Sequence, residues 1–234
     1  YIQDIPPAST GALKGPRPEI YYGEQSNEYG FVKTTAKEVD YPAGEDNVYT
    51  TYAGTGGIPI GSAWRKALFA VRFGTIRIPL NQDLGRESRI LMHRRIDERV
   101  RKIAPFLRFE TDPYLVLTQD GRLVWLIDAY TVSDGFPYSE PTPRTGNYIR
   151  NAVKVTVDAY HGTVHFYVSE PGDPLIQAYG AAFPDLLKPL SAMPADLRAH
   201  LRYPTGLFGI QARIYATYHM TDPQVFYNKE DLWK

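Results

Sequence analysis

The stretch from Asn151 to Ser169, NAVKVTVDAYHGTVHFYVS, alternates apolar with polar residues on both sides of a His161-Gly162 dipeptide. Strict alternation has the period of a half-buried β-strand, and a central glycine lets the chain reverse. The segment reads as a β-hairpin with a two-residue turn. That turn sets Ala159 opposite Val164, Val157 opposite Phe166 and Val155 opposite Val168. A one-residue slip would lose all these apolar pairs. The alternate face then carries Lys154, Thr156, Asp158, Tyr160, His165 and Tyr167, with Asp158 across from His165. A second hairpin is expected in PYLVLTQDGRLVWLIDAYTVS, where Asp120-Gly121 marks the turn and Val116 falls opposite Trp125, Leu117 opposite Val124.

Around these hairpins the pattern changes. Residues 1–61 are punctuated by Pro6, Pro7, Pro16, Pro18 and Pro42 between short Tyr-rich pieces, which suits an extended arm with one or two edge strands. Ser62 is a suitable cap for a helix reaching Phe73, with Ala63, Ala67, Phe69, Ala70 and Phe73 at helical spacing. A longer amphipathic helix is expected from about Asp83 to Ala104, because Met92, Ile96, Val100, Ile103 and Leu107 form one stripe. Its arginine-rich outer side suits a solvated, salt-bridged face, with an acidic partner or lipid headgroup as the functional alternative. From Gly172 onward Asp173-Pro174, Pro194, Pro204 and Asp222-Pro223 each announce a helix start. Strands in the middle (62–172, with helices) and helices in the last third (173–234) give an α+β fold. An antiparallel sheet on the two hairpins is expected within a single domain over residues 1–234.

Composition narrows the chemistry. Twenty-six Lys plus Arg balance twenty-six Asp plus Glu, leaving no excess charge to hold a polyanion, so nucleic acid is not expected as a partner. With no cysteine, disulfide scaffolds, Cys-ligated zinc and thiol nucleophiles are excluded. The longest uncharged stretch, Asn47 to Trp64, holds four glycines and many hydroxyls and does not suit a membrane-spanning helix. Gly54, Gly56 and Gly57 within it match no phosphate-loop template and read as a tight turn.

The connection from Ser133 to Asn151 has nineteen residues and no period. Loops of that length in a compact domain are functional or disordered. It carries Phe136, Tyr138, Arg144, Asn147, Tyr148, Arg150 and Asn151, rings and donors that can recognise a polar ligand or, alternatively, pin the loop to the sheet. The candidate ligand-binding set adds Asp128, Tyr130, Asp158, Tyr160 and His165 from the strands. Asp158 with His165 is the orienter-and-base half of a hydrolytic triad, but no serine stands in a nucleophile motif, and an ordinary cross-strand pair explains both. The histidines match no metal motif, so no metal or cofactor is expected. A calcium site built from Asp128, Asp134, Glu140 and Asp158 is the alternative.

The segments EIYYGE, ESRILMHRRIDERVRKIAPFL, LVWLIDAYTVSDGFPYS, NYIRNAVKVTVDAYHGTVHFYV, HLRYP and YHMTDPQVFYNKEDLW resemble those of the uncharacterised protein family 0182 of bacterial membrane proteins. The resemblance implies a parent with several amino-terminal transmembrane helices followed by a large domain outside the cytoplasm, which fits a chain opening on Tyr1. It carries over no catalytic residue. Thr205-Gly206 stands where the family leads one to expect an acidic pair, and His161 where Asp precedes the turn glycine. On this reading the chain is a non-enzymatic, extracytoplasmic ligand-binding or interaction domain of a multi-pass membrane protein. Its partners would be the transmembrane region of the same polypeptide and an envelope protein or small polar ligand. The alternatives are an envelope hydrolase with Asp128 and Asp158 as paired carboxylates, and a structural lid for the transmembrane part.

Overall fold

The structure, a computed structural model, describes residues 19–43, 46–143 and 145–233. Arg144 and Pro6, Pro7, Pro16 and Pro18 of the arm lie outside them. In chain order the elements are β1 (Tyr29–Val32), β2 (Glu38–Ala43), β3 (Asp46–Thr50), β4 (Ile58–Pro59), α1 (Ala63–Phe73), α2 (Arg77–Leu80) and β5 (Arg89–Met92). Then come α3 (Ile96–Ile103), β6 (Arg108–Phe109), β7 (Tyr114–Leu117), β8 (Leu123–Ser133), β9 (Tyr148–Asp158) and β10 (Val164–Val168). The last are α4 (Pro174–Ala182), β11 (Leu187–Pro189), α5 (Ala195–Ala199), α6 (Thr205–Tyr218) and α7 (Pro223–Asn228). The α+β expectation holds. The chain divides into two compact units, the first comprising Tyr1–Ala104, Leu115–Trp125 and Thr156–Val164, the second the remainder.

In the first unit β5 runs antiparallel between β1 and β4. The long helix expected over residues 83–104 is therefore broken. Arg89–Met92 is a strand whose Ile90 and Leu91 are both fully buried, and only Ile96–Ile103 is helical. Pairing on two sides satisfies this segment's backbone groups through partners that a helical spacing cannot reveal. His93, with φ of 50°, turns the chain between strand and helix. Ile96 and Val100 are buried as the stripe implied. Ile60, Ile78, Leu84 and Ile90 form a core against which Phe69 and Phe73 of α1 pack. Ser62 caps α1 by accepting from Arg65 N–H, and Gly74 closes it in the left-handed conformation.

Arg99 of α3 ties this unit together. Its Nε donates to the Gly162 carbonyl (2.7 Å), its Nη1 to the Met92 carbonyl (3.1 Å), and its guanidinium lies 4.6 Å from the centre of the Tyr22 ring. Tyr22 in turn receives the Trp125 indole N–H on its carbonyl (2.9 Å). Gly162 has φ of 72°, and a Cβ there would come within 2.5 Å of the Tyr22 ring.

The loop between β7 and β8 is longer than the two residues expected. Thr118 N–H donates to the Arg122 carbonyl and Gly121 N–H to the Thr118 carbonyl, both at 2.9 Å. Gly121 has φ of 79° while Asp120 keeps an ordinary φ, which excludes the primed turn that a two-residue loop requires. This is a three-residue loop, a type I turn closed by a left-handed glycine. Val116 accordingly faces Val124 rather than Trp125, and both valines are buried.

In the second unit the sheet order is β11-β10-β9-β8-β6, with β11 parallel to β10 and β6 antiparallel to β8. The β9–β10 register also departs from expectation. Asp158 N–H donates to the Thr163 carbonyl (3.0 Å) and Ser169 N–H to the Ala152 carbonyl (2.8 Å), so the loop spans Ala159 to Gly162. Val157 lies across from Val164 and Val155 from Phe166. The shift is two residues, so the buried valine face survives, but Asp158 no longer opposes His165. The alternate face is also less open than expected, because Lys154, Thr156 and Tyr167 are buried. Asp173 caps α4 through Leu175 and Ile176 N–H, and Asp222 caps α7 through Gln224 and Val225 N–H. Pro194 and Pro204 occupy the cap positions of α5 and α6.

Candidate functional site

A charge in the middle of a sheet strand needs a partner, and Lys154 of β9 has one. Its ammonium pairs with the buried Asp128 carboxylate of β8 and also donates to the Arg202 carbonyl (3.3 Å). Asn151, three residues earlier in β9, donates its amide to the same Asp128 oxygen (3.0 Å). Ser169 Oγ donates to the Asn151 carbonyl (2.6 Å), which fixes the strand edge. Above this layer opens a cleft of about 450 Å³ whose lining includes Arg150, Asn151, Lys154, Glu170, Arg202 and Gln211. Lys154 is neutralised from below, which leaves Arg150 and Arg202 as the cations that face the opening against one acid, Glu170.

Both guanidiniums are positioned by rings. Arg202 lies 4.2 Å from the centre of the Tyr114 ring, and Tyr114 Oη donates to the His200 carbonyl (3.1 Å). Arg150 lies 4.9 Å from the centre of the Tyr148 ring, which also stacks on Phe136 at 4.3 Å. Tyr148 Oη donates to Asp173 Oδ1 (2.6 Å), and Thr131 Oγ1 donates to Asp173 Oδ2 (2.5 Å). Burial first, and then this carboxylate, push the Tyr148 hydroxyl up to about 12. On the α6 side, Tyr203 Oη donates to Gln211 Oε1 (2.5 Å). At the start of α6, Glu110 accepts from Tyr130 Oη (2.5 Å) and from Gly206 N–H (3.0 Å). Burial opposes its ionisation, but these bonds and those from Thr111 outweigh it and hold the carboxyl below its ordinary value. A Cβ at residue 206 would sit 2.6 Å from the Glu110 carboxylate, which gives Gly206, though not Thr205, a structural reason.

The expected site residues thus separate. Arg150 and Asn151 line the cleft, with Asp128 directly beneath it. Tyr148, Arg150 and Asn151 belong to β9 rather than to the loop. Asn147 serves the loop itself, accepting from Phe136 N–H (3.1 Å) and donating to the Phe136 carbonyl (2.6 Å). Tyr138 is fully exposed at a groove of about 430 Å³ shared with Arg213, Ile214 and Tyr218. Tyr130 is buried against Glu110. In the first unit Asp158 Oδ1 accepts from Tyr160 and His161 N–H (2.9 and 2.7 Å), and its Oδ2 faces Arg122 at 3.6 Å. Tyr160 packs against Tyr21 and Tyr52, and its Oη accepts from Ala53 N–H (2.8 Å). His165 of the second unit sits 3.1 Å from Lys188, and burial followed by that cation lowers its proton affinity. Asp128 and Asp158 are each engaged structurally, one by an ammonium and one by its own turn. Among the described residues, no group of three or more His, Cys, Asp or Glu is placed to hold a metal ion.

Arg202, Tyr203 and Gln211 enter the cleft from α6 and the segment before it, and sequence reasoning did not assign them to a site. The available signals were the HLRYP segment and the lone lysine in an apolar strand.

No helix among the described residues is long and apolar enough to cross a membrane. No solved structure matches the chain. A relative from Pelobacter propionicus is 57% identical over 234 residues, covering 100% of this chain and 26% of its own length. One from Geotalea uraniireducens is 55% identical and one from Geobacter sulfurreducens 53%, with the same coverage. The chain thus spans about a quarter of the length of these relatives. A family profile described as "Uncharacterised protein family (UPF0182)" matches residues 1–234, and the chain belongs to that family.

Proposed function

We propose that the chain is a non-enzymatic binding domain on the extracytoplasmic side of a multi-pass bacterial membrane protein, and that the cleft over Lys154 takes a small ligand bearing a carboxylate or phosphate. The observation that carries this reading is the pair of ring-backed guanidiniums, Arg150 and Arg202, at the mouth of one polar cleft. Arginine offers a planar fork of donors that matches both anions, and stacking on a ring limits the freedom it loses on binding. Asn151, Tyr203 and Gln211 add neutral groups for the rest of a polar molecule. The length of the family members beyond this chain, together with the resemblance noted above, supports placing it beside a membrane-embedded region.

The test is a thermal-shift and calorimetric titration with inorganic phosphate, citrate and glycerol 3-phosphate. At least one should raise the melting temperature, and Arg150→Ala combined with Arg202→Ala should abolish that rise without lowering the unliganded melting temperature. Binding of neutral sugars alone, or anion binding that survives the double substitution, would sink the proposal.

A further inference from the structure

Helix α1 is apolar on two opposite sides, and the molecule uses one of them. Phe69 and Phe73 point to the core of the first unit. Trp64, Leu68 and Val71, at spacings of four and three, form a second stripe on the far side and are 72%, 50% and 83% exposed. No residue of α1 is fully buried. The short helix α2 packs beside it and adds the exposed Ile76 and Leu80.

The charges carried by α1, α2 and the link between them are of one sign. Between Ala63 and Leu80 there are four cations, Arg65, Lys66, Arg72 and Arg77, and no Asp or Glu. Arg65 and Arg72 are seven apart and so share one edge of the exposed stripe. Lys66 is engaged inward, donating to the Leu84 carbonyl (2.7 Å). Two copies joined through this face would oppose cation to cation. An acidic protein or polynucleotide would match the arginines but leave the tryptophan and aliphatic side chains uncovered.

We infer that the α1–α2 face seats on the surface of a bilayer containing anionic phospholipid. The apolar stripe would enter the boundary between headgroups and acyl chains, with Trp64 at headgroup depth and Arg65, Arg72 and Arg77 on lipid phosphates. A lipid interface is the surface that rewards both properties together, because it offers hydrocarbon below and negative charge above. This inference uses α1 and α2 alone and does not depend on the anion-binding cleft.

The chain contains no cysteine, so Leu68→Cys carries an environment-sensitive fluorophore at one defined place on the face. With vesicles of equimolar phosphatidylglycerol and phosphatidylcholine at low salt, the protein should co-float and the probe should shift to the blue. Phosphatidylcholine vesicles alone should bind far less. Trp64→Ser with Val71→Ser should weaken partitioning more than about tenfold. Arg65→Gln, Arg72→Gln and Arg77→Gln together should cut the preference for anionic vesicles on the order of a hundredfold and remove its salt dependence. All these side chains are exposed, so circular dichroism and melting temperature should match the parent. Failure to co-float, equal partitioning of parent and variants, or a self-association that these substitutions abolish would each overturn the inference, the last in favour of a second copy.

Discussion

Two carboxylates in the second unit, Asp128 and Asp173, are buried to the same degree and are accommodated by different means. Asp128 faces the Lys154 ammonium and one amide from Asn151. Among the described residues Asp173 makes no ion pair. Its two oxygens accept from Tyr148 and Thr131 hydroxyls and from the first N–H groups of α4. A single ion pair concentrates the compensation in one contact, so loss of either partner strands a charge in a poorly solvated place. A ring of neutral donors at a helix start distributes it, with the helix dipole acting in the same direction. The difference matches position: Asp128 underlies an open cleft where a lysine can reach it, whereas Asp173 anchors the layer that carries Tyr148 and, through that ring, Arg150.

This contrast can be broken most severely at Asp173. Asp173→Ala removes the acceptor of two buried hydroxyls together with a helix cap, and should cost about 4–6 kcal/mol by denaturant unfolding. Lys154→Met should cost about 3–5 kcal/mol, and the compensated pair Lys154→Met with Asp128→Leu should return to within about 1–2 kcal/mol of the parent. Equal destabilisation by single and double variants would show that the ion pair is not what holds Asp128 in place. The smallest effect belongs to Tyr148→Phe, about 1 kcal/mol at neutral pH. Because the Tyr148 hydroxyl is raised from 10.0 to about 12, its contribution is fully present below pH 10 and is lost as pH climbs through 12. Alkaline unfolding followed by circular dichroism should therefore be blunted in Tyr148→Phe relative to the parent.

Features set by neighbouring residues were legible in the sequence. Ser62, Asp173 and Asp222 each cap the helix they announce, because a cap is decided within four residues. The apolar face of β9 was legible for the same reason, since alternation is local. What failed was loop length and long-range pairing. Asp120-Gly121 and His161-Gly162 marked where the chain reverses, but a left-handed glycine serves two-, three- and four-residue loops alike. Arg89–Met92 joined a sheet whose other strands lie up to sixty residues away in the chain, and nothing in its own spacing announces that. The site divided likewise. Arg150 and Asn151 were found because they crowd beside a long loop, whereas Arg202 and Gln211 reach the cleft through tertiary packing alone.

The contact between Gly162 and Tyr22 imposes two independent demands on one position. One is room, set by an aromatic plate from near the start of the described chain. The other is handedness, set by the turn. Shrinking residue 22 would satisfy only the first, and the Arg99 guanidinium resting on that plate would lose its seat at the same moment. The hairpin tip, the helix and the early segment can therefore diverge among descendants only in concert, and a chimera that took these three pieces from different relatives would assemble poorly even though each piece is sound.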